Sequence, residues 1–266
     1  MVKMKNTLLC ALLAATAFLF LFPEIPARAE EESRGRLLLH HFAREFTPER
    51  MTMIIDEEPD NTGYVRDIFL DVKGCVIGGV RMDSLRIRAM GVQMNSPEDW
   101  TSKGLDAKEI LNVHAFARIL EKDLNDNLLS KEFGEDDHWN NLQVDMRPEG
   151  IYARGNYLAT ILFRLNILIE IFSRFKIVDM QQVWLHDYTL KVNRVDVPQF
   201  ITDQAVEQIQ PLLDLSKFVF PLKLHEITYD DTSLTITSRV LPESFKGIAY
   251  EYRADNSKAG DKDKKQ

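Results

Sequence analysis

The sequence has almost no cysteine: Cys10 and Cys75 are the two cysteines among its 266 residues. Cys10 lies in an N-terminal segment that is predicted below to be removed, so Cys75 would have no intramolecular partner. A secreted chain of this size without disulfides has to be stabilised by its hydrophobic core. Because Cys75 lies in an apolar, strand-like stretch, we expect a buried and unreactive thiol.

Catalytic and metal-binding signatures are also missing. None of the six histidines has a metal-ligand spacing, there is no G-x-S-x-G elbow, and Gly78-Gly79 does not belong to a phosphate-binding motif. His186-Asp187 resembles half of a base-and-orienter pair. Neighbours in a strand point to opposite faces, however, so we interpret His186 as a surface imidazole. We predict a protein that is not an enzyme and uses neither a metal nor a cofactor.

The sequence has fewer positively charged than negatively charged residues. The chain has 33 Lys and Arg against 41 Asp and Glu, a formal net charge of −8, which becomes −10 if residues 1–29, with their net +2, are removed. Nucleic-acid binding and electrostatic docking on anionic lipid both require a positive surface. The charge therefore excludes a general nucleic-acid binder. It does not exclude a protein that holds lipid by apolar burial.

The N-terminus has the features of an export signal. Lys3 and Lys5 precede an apolar run over residues 7–22, and Ala27-Arg28-Ala29 fits the small-x-small cleavage pattern. This run is shorter than the roughly 20 residues that span a bilayer. We predict that residues 1–29 are a secretory signal peptide and that the protein works in the bacterial envelope, in the periplasm or at the outer face of the cytoplasmic membrane. An uncleaved N-terminal anchor is the alternative.

Strand patterns dominate the remaining chain. Apolar and polar residues alternate over several stretches, which predicts antiparallel strands with one buried face. These stretches are residues 49–55, 68–94, 142–158, 161–172, 183–192 and the terminal hairpin 223–240. Short helices are predicted at residues 37–46 and 202–210. The tail, residues 254–266, is charged and has no apolar pattern, which predicts disorder.

The longest predicted helix covers residues 106–129. Asp106 and Glu109 resemble a capping box. Six apolar residues then follow at helical spacing: Ile110, Val113, Ala117, Leu120, Leu124 and Leu128. We predict an α+β fold in which long antiparallel amphipathic strands pack on two or three helices, within a single domain over residues 30–253.

The C-terminal third contains a distinctive series of short runs: VDVPQF at 195–200, QPLLDL at 210–215 and FPLKL at 220–224, with the strand entry EGI at 149–151 upstream. Over roughly residues 35–240 the pattern resembles the LmeA-like phospholipid-binding family. Gln210 stands where that family usually has asparagine. The resemblance implies an envelope protein that binds phospholipid in an apolar groove between sheet and helix, on a curved sheet wrapped on a helix, similar to tubular lipid-binding domains. It implies no catalytic residue.

The resulting hypothesis is a protein that binds phospholipid or another acyl-chain lipid for lipid transport or envelope maintenance, and peripheral contact with a membrane is compatible with it. The candidate groove residues are Leu165, Ile167, Ile169 and Ile171 on one strand face, with Leu120 and Leu124 facing them from the predicted helix. The same residues could form a closed core instead. Two other functions stay open: an envelope scaffold that pairs its sheet edges with partners, and a hydrolase of envelope polymers.

Overall fold

The computed structural model describes residues 33–77, 80–128, 139–160, 164–216, 218 and 220–254. From Ser33 onward the chain forms one compact unit. The described strands, in chain order, are β1 (Arg50–Ile55), β2 (Tyr64–Ile77), β3 (Val80–Met94), β4 (Ala107–Leu120), β5 (Trp139–Arg147), β6 (Gly150–Thr160), β7 (Arg164–Val178), β8 (Gln182–Val192), β9 (Val195–Asp196), β10 (Leu213–Asp214), β11 (Leu224–Tyr229), β12 (Ser233–Ser238) and β13 (Ile248–Arg253).

Three described α-helices are α1 (Arg34–Phe46), α2 (Pro97–Lys103) and α3 (Gln199–Glu207). In addition, a short helical segment, Glu121–Asp123, continues into a π-helical turn, Leu124–Leu128. We call these two pieces together the 121–128 turn. The strands form two antiparallel sheets. The first has the order β11-β12-β4-β3-β2-β1-β13, and the second has the order β10-β8-β7-β6-β5, with β9 paired to β8.

The first sheet has one continuous apolar face, which the cross-strand register produces. Met53 of β1 lies opposite Leu70 of β2, and Leu70 lies opposite Ile87 of β3. Ile87 in turn faces Ala115 of β4, and β4 continues the face to Ile236 of β12 through Ala117. Side chains two residues apart on a strand share a face, so each of these strands contributes a buried row. The first sheet therefore supplies most of the core.

Helix α1 covers part of this face. The Ser33 hydroxyl accepts a hydrogen bond from the Arg36 amide (3.2 Å) and begins the helix, which ends at Thr47 in a left-handed conformation. Leu38, Phe42 and Phe46 lie four residues apart and are buried. The helix is short, so its stability depends on this packed face rather than on helix propensity.

The chain from β10 to β11 packs on another part of the first sheet. The Phe220 ring lies 5.4 Å from the Phe42 ring, and Leu213, Leu215 and Leu222 are buried in the same core. A cavity between this segment and the sheet has a volume of about 20 Å³, close to one water molecule. This cavity is too small for an acyl chain, and the described core of the first sheet is closely packed around it.

The predicted helix at residues 106–129 is wrong. Residues 107–120 form strand β4, and the 121–128 turn supplies only two short helical pieces. Val113, Ala115, Ala117 and Ile119 are buried and alternate with more exposed residues. This segment fits both the strand period and the helix period, and pairing with β3 and β12 on its two sides selects the strand.

The other predictions about the fold agree better with the structure. The chain is mainly antiparallel β-structure with few helices, so the predicted antiparallel strands are confirmed, whereas the helical part of the predicted α+β fold is smaller than expected. The two short helices are confirmed as α1 and α3, and the terminal hairpin as β11 and β12. Strand β13, which the sequence reading missed, pairs with β1 at the edge of the first sheet. The predicted signal peptide, and the predicted tail from residue 255 on, lie outside the described residues.

We expect Phe42→Ala to lower the free energy of unfolding by about 3–5 kcal/mol, because the ring packs against both Phe46 and Phe220 and its removal leaves a cavity. Chemical denaturation measures the change. Glu45→Ala, on the exposed side of the same helix, is the control and should stay within about 0.5 kcal/mol. Equal effects of the two changes would contradict the assignment of α1 as a core element.

Candidate functional site

The second sheet also has an apolar face, and its register defines the members. Ile171, Ile169 and Ile167 of β7 lie opposite Ala153, Gly155 and Tyr157 of β6, and Leu165 continues the row on β7. On the other side of β7, Ile169 faces Val192 and Ile171 faces Leu190 of β8. We call this row of side chains, extended by Val144 and Met146 of β5, the second apolar face.

Burial falls steadily along the second apolar face. At one end Val144, Met146, Ile151 and Val183 are buried in the main core. Ile171, Ile169 and Ile167 are only partly buried, and Leu165 is 36% exposed. The face therefore has a closed end, near β5 and the start of β8, and an open end, near Leu165.

The closed end results from the junction of the two sheets. The Phe175 amide of β7 donates a hydrogen bond to the Tyr229 hydroxyl of β11 (2.6 Å), and the Leu224 amide donates to the Met180 carbonyl (2.7 Å). Burial raises the pKa of Tyr229, so this phenol stays neutral as an acceptor. Among the described residues, these bonds hold β7 against the first sheet near residues 175–180, and β7 extends away from them as far as Arg164.

The outer edge of β8 is covered by the chain that follows it. β9 pairs with the end of β8, β10 pairs with its start, and α3 lies between them against β8. The Tyr188 hydroxyl donates to Asp203 of α3 (2.9 Å), and this hydrogen bond raises the pKa of Tyr188. The open edge of β8 is thus unavailable for pairing with another strand over most of its length.

His186 and Asp187 contact each other, contrary to the strand-based argument. The His186 Nε2 atom lies 3.1 Å from an Asp187 carboxylate oxygen. β8 carries an extra residue at this point relative to β7, and Asp187 has φ +49°, so neighbouring side chains do not alternate here. Both side chains are half exposed, and the nearby Ser173 hydroxyl donates to backbone carbonyls. His186 remains a surface imidazole.

The free edge of β5 is held by side chains of the 121–128 turn. Asn125 accepts a hydrogen bond from the Val144 amide (2.8 Å) and donates to the Val144 carbonyl (2.9 Å). The Glu121 carboxylate accepts from the Met146 amide (2.7 Å). These three bonds replace a neighbouring strand, so the edge of β5 is satisfied at its closed end.

An ion pair fixes the 121–128 turn to the first sheet. Arg81 at the start of β3 donates to the buried carboxylate of Asp123 (2.7 Å) and to Glu49 (2.5 Å). Bonding to Glu49, together with both negative charges, raises the pKa of Arg81. The turn therefore joins the two sheets through charged groups on one side and backbone bonds on the other.

The opposite face of the second sheet is mostly polar. Tyr152 of β6 donates to Glu170 of β7, which raises the pKa of the Tyr152 phenol, and the Arg147 guanidinium lies 5.0 Å from the Tyr152 ring centre. Arg154 donates to Gln143 at 2.5 Å. These polar side chains bond one another on this face, so the row of aliphatic side chains from Leu165 to Ile171 lies on the other face of the sheet.

The structure brings four of the six predicted groove residues together. Leu165, Ile167, Ile169 and Ile171 form one row on β7 within the second apolar face. Leu124 lies in the core with Val144, so it belongs to the closed end, and Leu120 is partly exposed at the end of β4. Neither belongs to a long helix, because the helix from which they were predicted to face the strand does not exist.

The sequence reading missed the β6 side of this face and the role of α3. Ala153 and Gly155 alternate with Tyr152 and Arg154, which is a strand signal with small residues on the apolar side. Among the described residues, no three His, Cys, Asp or Glu side chains are grouped as metal ligands. No described helix has both the length and the hydropathy needed to cross a membrane.

The comparisons with known proteins identify the family. The model of the LmeA-like phospholipid-binding family matches residues 61–239, from the turn before β2 to the end of β12. The chain belongs to this family. Comparisons with curated proteins and with solved structures gave no significant match. The second apolar face lies wholly within the part of the chain that the LmeA-like family model covers.

We expect Asn125→Ala to speed hydrogen exchange at the Val144 amide and to destabilise the protein by about 1–3 kcal/mol, because two backbone groups lose their partner. Exchange measured by mass spectrometry or NMR reports the effect. Lys122→Ala, an exposed change in the same turn, is the control. Unchanged exchange at Val144 would show that the 121–128 turn does not hold β5.

Proposed function

We propose that this protein binds phospholipid, or another lipid with an acyl chain, along the open end of the second apolar face. Membership of the LmeA-like family supports a lipid ligand. We infer the position of the lipid site from the decrease in burial along β7, from the junction at Phe175 to the exposed Leu165. The closed first sheet leaves this face as the better place for an acyl chain.

The chemistry of the face suits an acyl chain. Its members are aliphatic or aromatic, and each CH₂ group that leaves water contributes about 0.8 kcal/mol, so no charge pairing is needed. An acidic protein, with formal net charge −8, can hold lipid in this way. Gly155 opposite Ile169 leaves the middle of the face without a large side chain on the β6 side, which favours close approach of a linear chain.

The proposal includes a place of action. The apolar run and cleavage pattern at the N-terminus support export, so we propose work in the envelope, in lipid transport or envelope maintenance, without catalysis. The rival scaffold function needs free sheet edges for pairing. In the second sheet, β9, α3 and β10 cover the edge of β8, and Asn125 and Glu121 engage the edge of β5 at Val144 and Met146, which leaves less of these edges for a partner strand.

We expect Ile169→Asn to lower the lipid bound by the protein about tenfold, because loss of one large apolar side chain from a contact costs roughly 1.5–3 kcal/mol. Organic extraction and native mass spectrometry of the full chain purified gently from membranes measure the lipid. Leu168→Asn is the matched control: it is the same kind of change on the same strand, one residue away on the opposite face.

Two results would contradict this proposal. One is the absence of lipid from the unmodified protein after gentle purification. The other is an equal loss of lipid in the Ile169→Asn and Leu168→Asn variants, which would indicate general destabilisation or binding elsewhere. Denaturation curves of both variants show whether each remains folded.

A further inference from the structure

The outer side of α3 is unusual for a surface helix. Of the twelve large apolar side chains that are exposed in the described part of the chain, five lie between residues 195 and 212. Phe200 is 67% exposed and Ile201 is 44% exposed, on the first turn of α3, and Val195 just before it is 68% exposed. Scattered exposed apolar residues are ordinary, but a concentration of them indicates an interaction surface.

Most of the exposed residues of α3 and of the turn after it are uncharged. Helical spacing groups six of them into one arc: Phe200, Ile201, Gln204, Ala205, Gln208 and Ile209. Of the two acids of the helix, Asp203 lies toward β8 and accepts from Tyr188, whereas Glu207, whose charge raises the pKa of Tyr188, is exposed beside the arc. A surface helix usually carries more charge on its outward side. We call this arc the outer face of α3.

The outer face of α3 lies beside the open end of the second apolar face. Val195 of β9 pairs with Val192 of β8, and Val192 pairs with Ile169 of β7. Directly paired residues point to the same side of a sheet, so Val195 extends the second apolar face toward α3. Exposed apolar surface therefore continues from the proposed lipid site to the start of the helix.

We propose that the outer face of α3 docks the protein on the surface of a lipid bilayer, which places the open end of the second apolar face next to the membrane that supplies its ligand. This rests on the proposed lipid binding. An uncharged arc can enter the interface without the cost of desolvating a charge. Because it carries no cation, docking does not depend on anionic lipid and changes little with salt.

The size of the arc argues against a second copy of the chain as its occupant. A helix of nine residues is about 14 Å long and about 10 Å wide, so one side presents roughly 140 Å². A stable protein–protein interface covers about 800 Å² on each partner. Insertion of two or three large apolar side chains into a bilayer surface needs no such area.

A probe attached to α3 in the full chain tests this docking. Gln204→Cys places a thiol on the outer face while Phe200 and Ile201 stay in place. Cys10→Ser removes one native thiol, and Cys75 is buried with its pKa raised to about 12, so it does not compete for the reagent. The control probe is Asp231→Cys, in the exposed turn between β11 and β12. Each carries an environment-sensitive fluorophore.

With vesicles of neutral phosphatidylcholine we expect a several-fold rise in emission at position 204, and quenching by lipids with a nitroxide on the acyl chain. The emission of the probe at position 231 should not change. A rise there would show that the protein contacts vesicles by a part other than α3. Adding Phe200→Ser and Ile201→Ser should remove most of the rise, because each large apolar side chain contributes roughly a factor of ten to binding.

Other outcomes would overturn the docking proposal: no rise at position 204, equal rises at both positions, a rise only with anionic vesicles at low salt, or a rise without vesicles that grows with protein concentration. The last would identify a second copy as the occupant. Lipid extraction from the same protein preparations, before vesicles are added, separates the two proposals. Emission that rises in a protein without bound lipid would refute the lipid site but not the docking of α3.

Discussion

The structure depends on one constraint: both sheets have an apolar face, but the described side chains that pack on these faces cover one face and only part of the other. The first sheet is covered by α1 and by the chain from Leu213 to Leu222, which leave a cavity of about 20 Å³. Among the described residues, the second sheet has cover on its apolar face where it meets the first. Since apolar surface that stays in water costs free energy in proportion to its area, the uncovered end of β7 is where a ligand gains most by binding.

Polar groups keep the second sheet in place without closing it. Asn125 and Glu121 satisfy the backbone at the edge of β5, and Arg81 fixes the 121–128 turn through the buried carboxylate of Asp123. On the other side, β9, α3 and β10 occupy the edge of β8. Hydrogen bonds and ion pairs at the edges cover backbone groups but no apolar area. The sheet can therefore be held firmly while its apolar side stays accessible.

Period-2 alternation predicted most of the strands and the row from Leu165 to Ile171, because that signal depends only on which side chains share a face. At residues 106–129 the helical spacing of Ile110, Val113 and Ala117 competes with the strand alternation of Val113, Ala115 and Ala117. Pairing with β3 and with β12, which is remote in sequence, selects the strand. Which half of the second apolar face stays open could not be predicted either, since cover comes from Tyr229 and Leu213, far along the chain. Sequence patterns identify a face, whereas tertiary packing determines whether it is closed.

The extent of the family match fits this division of the molecule. The LmeA-like model covers residues 61–239, which include the whole second sheet, whereas α1, β1 and β13 lie outside it. The Phe42 and Phe46 side chains that close the first sheet thus come from chain outside the match, and β1 and β13 extend that sheet beyond it. The matched region by itself contains the open face, its edge supports and α3. Ligand binding is therefore better sought in the second sheet than under α1, where the packing is already complete.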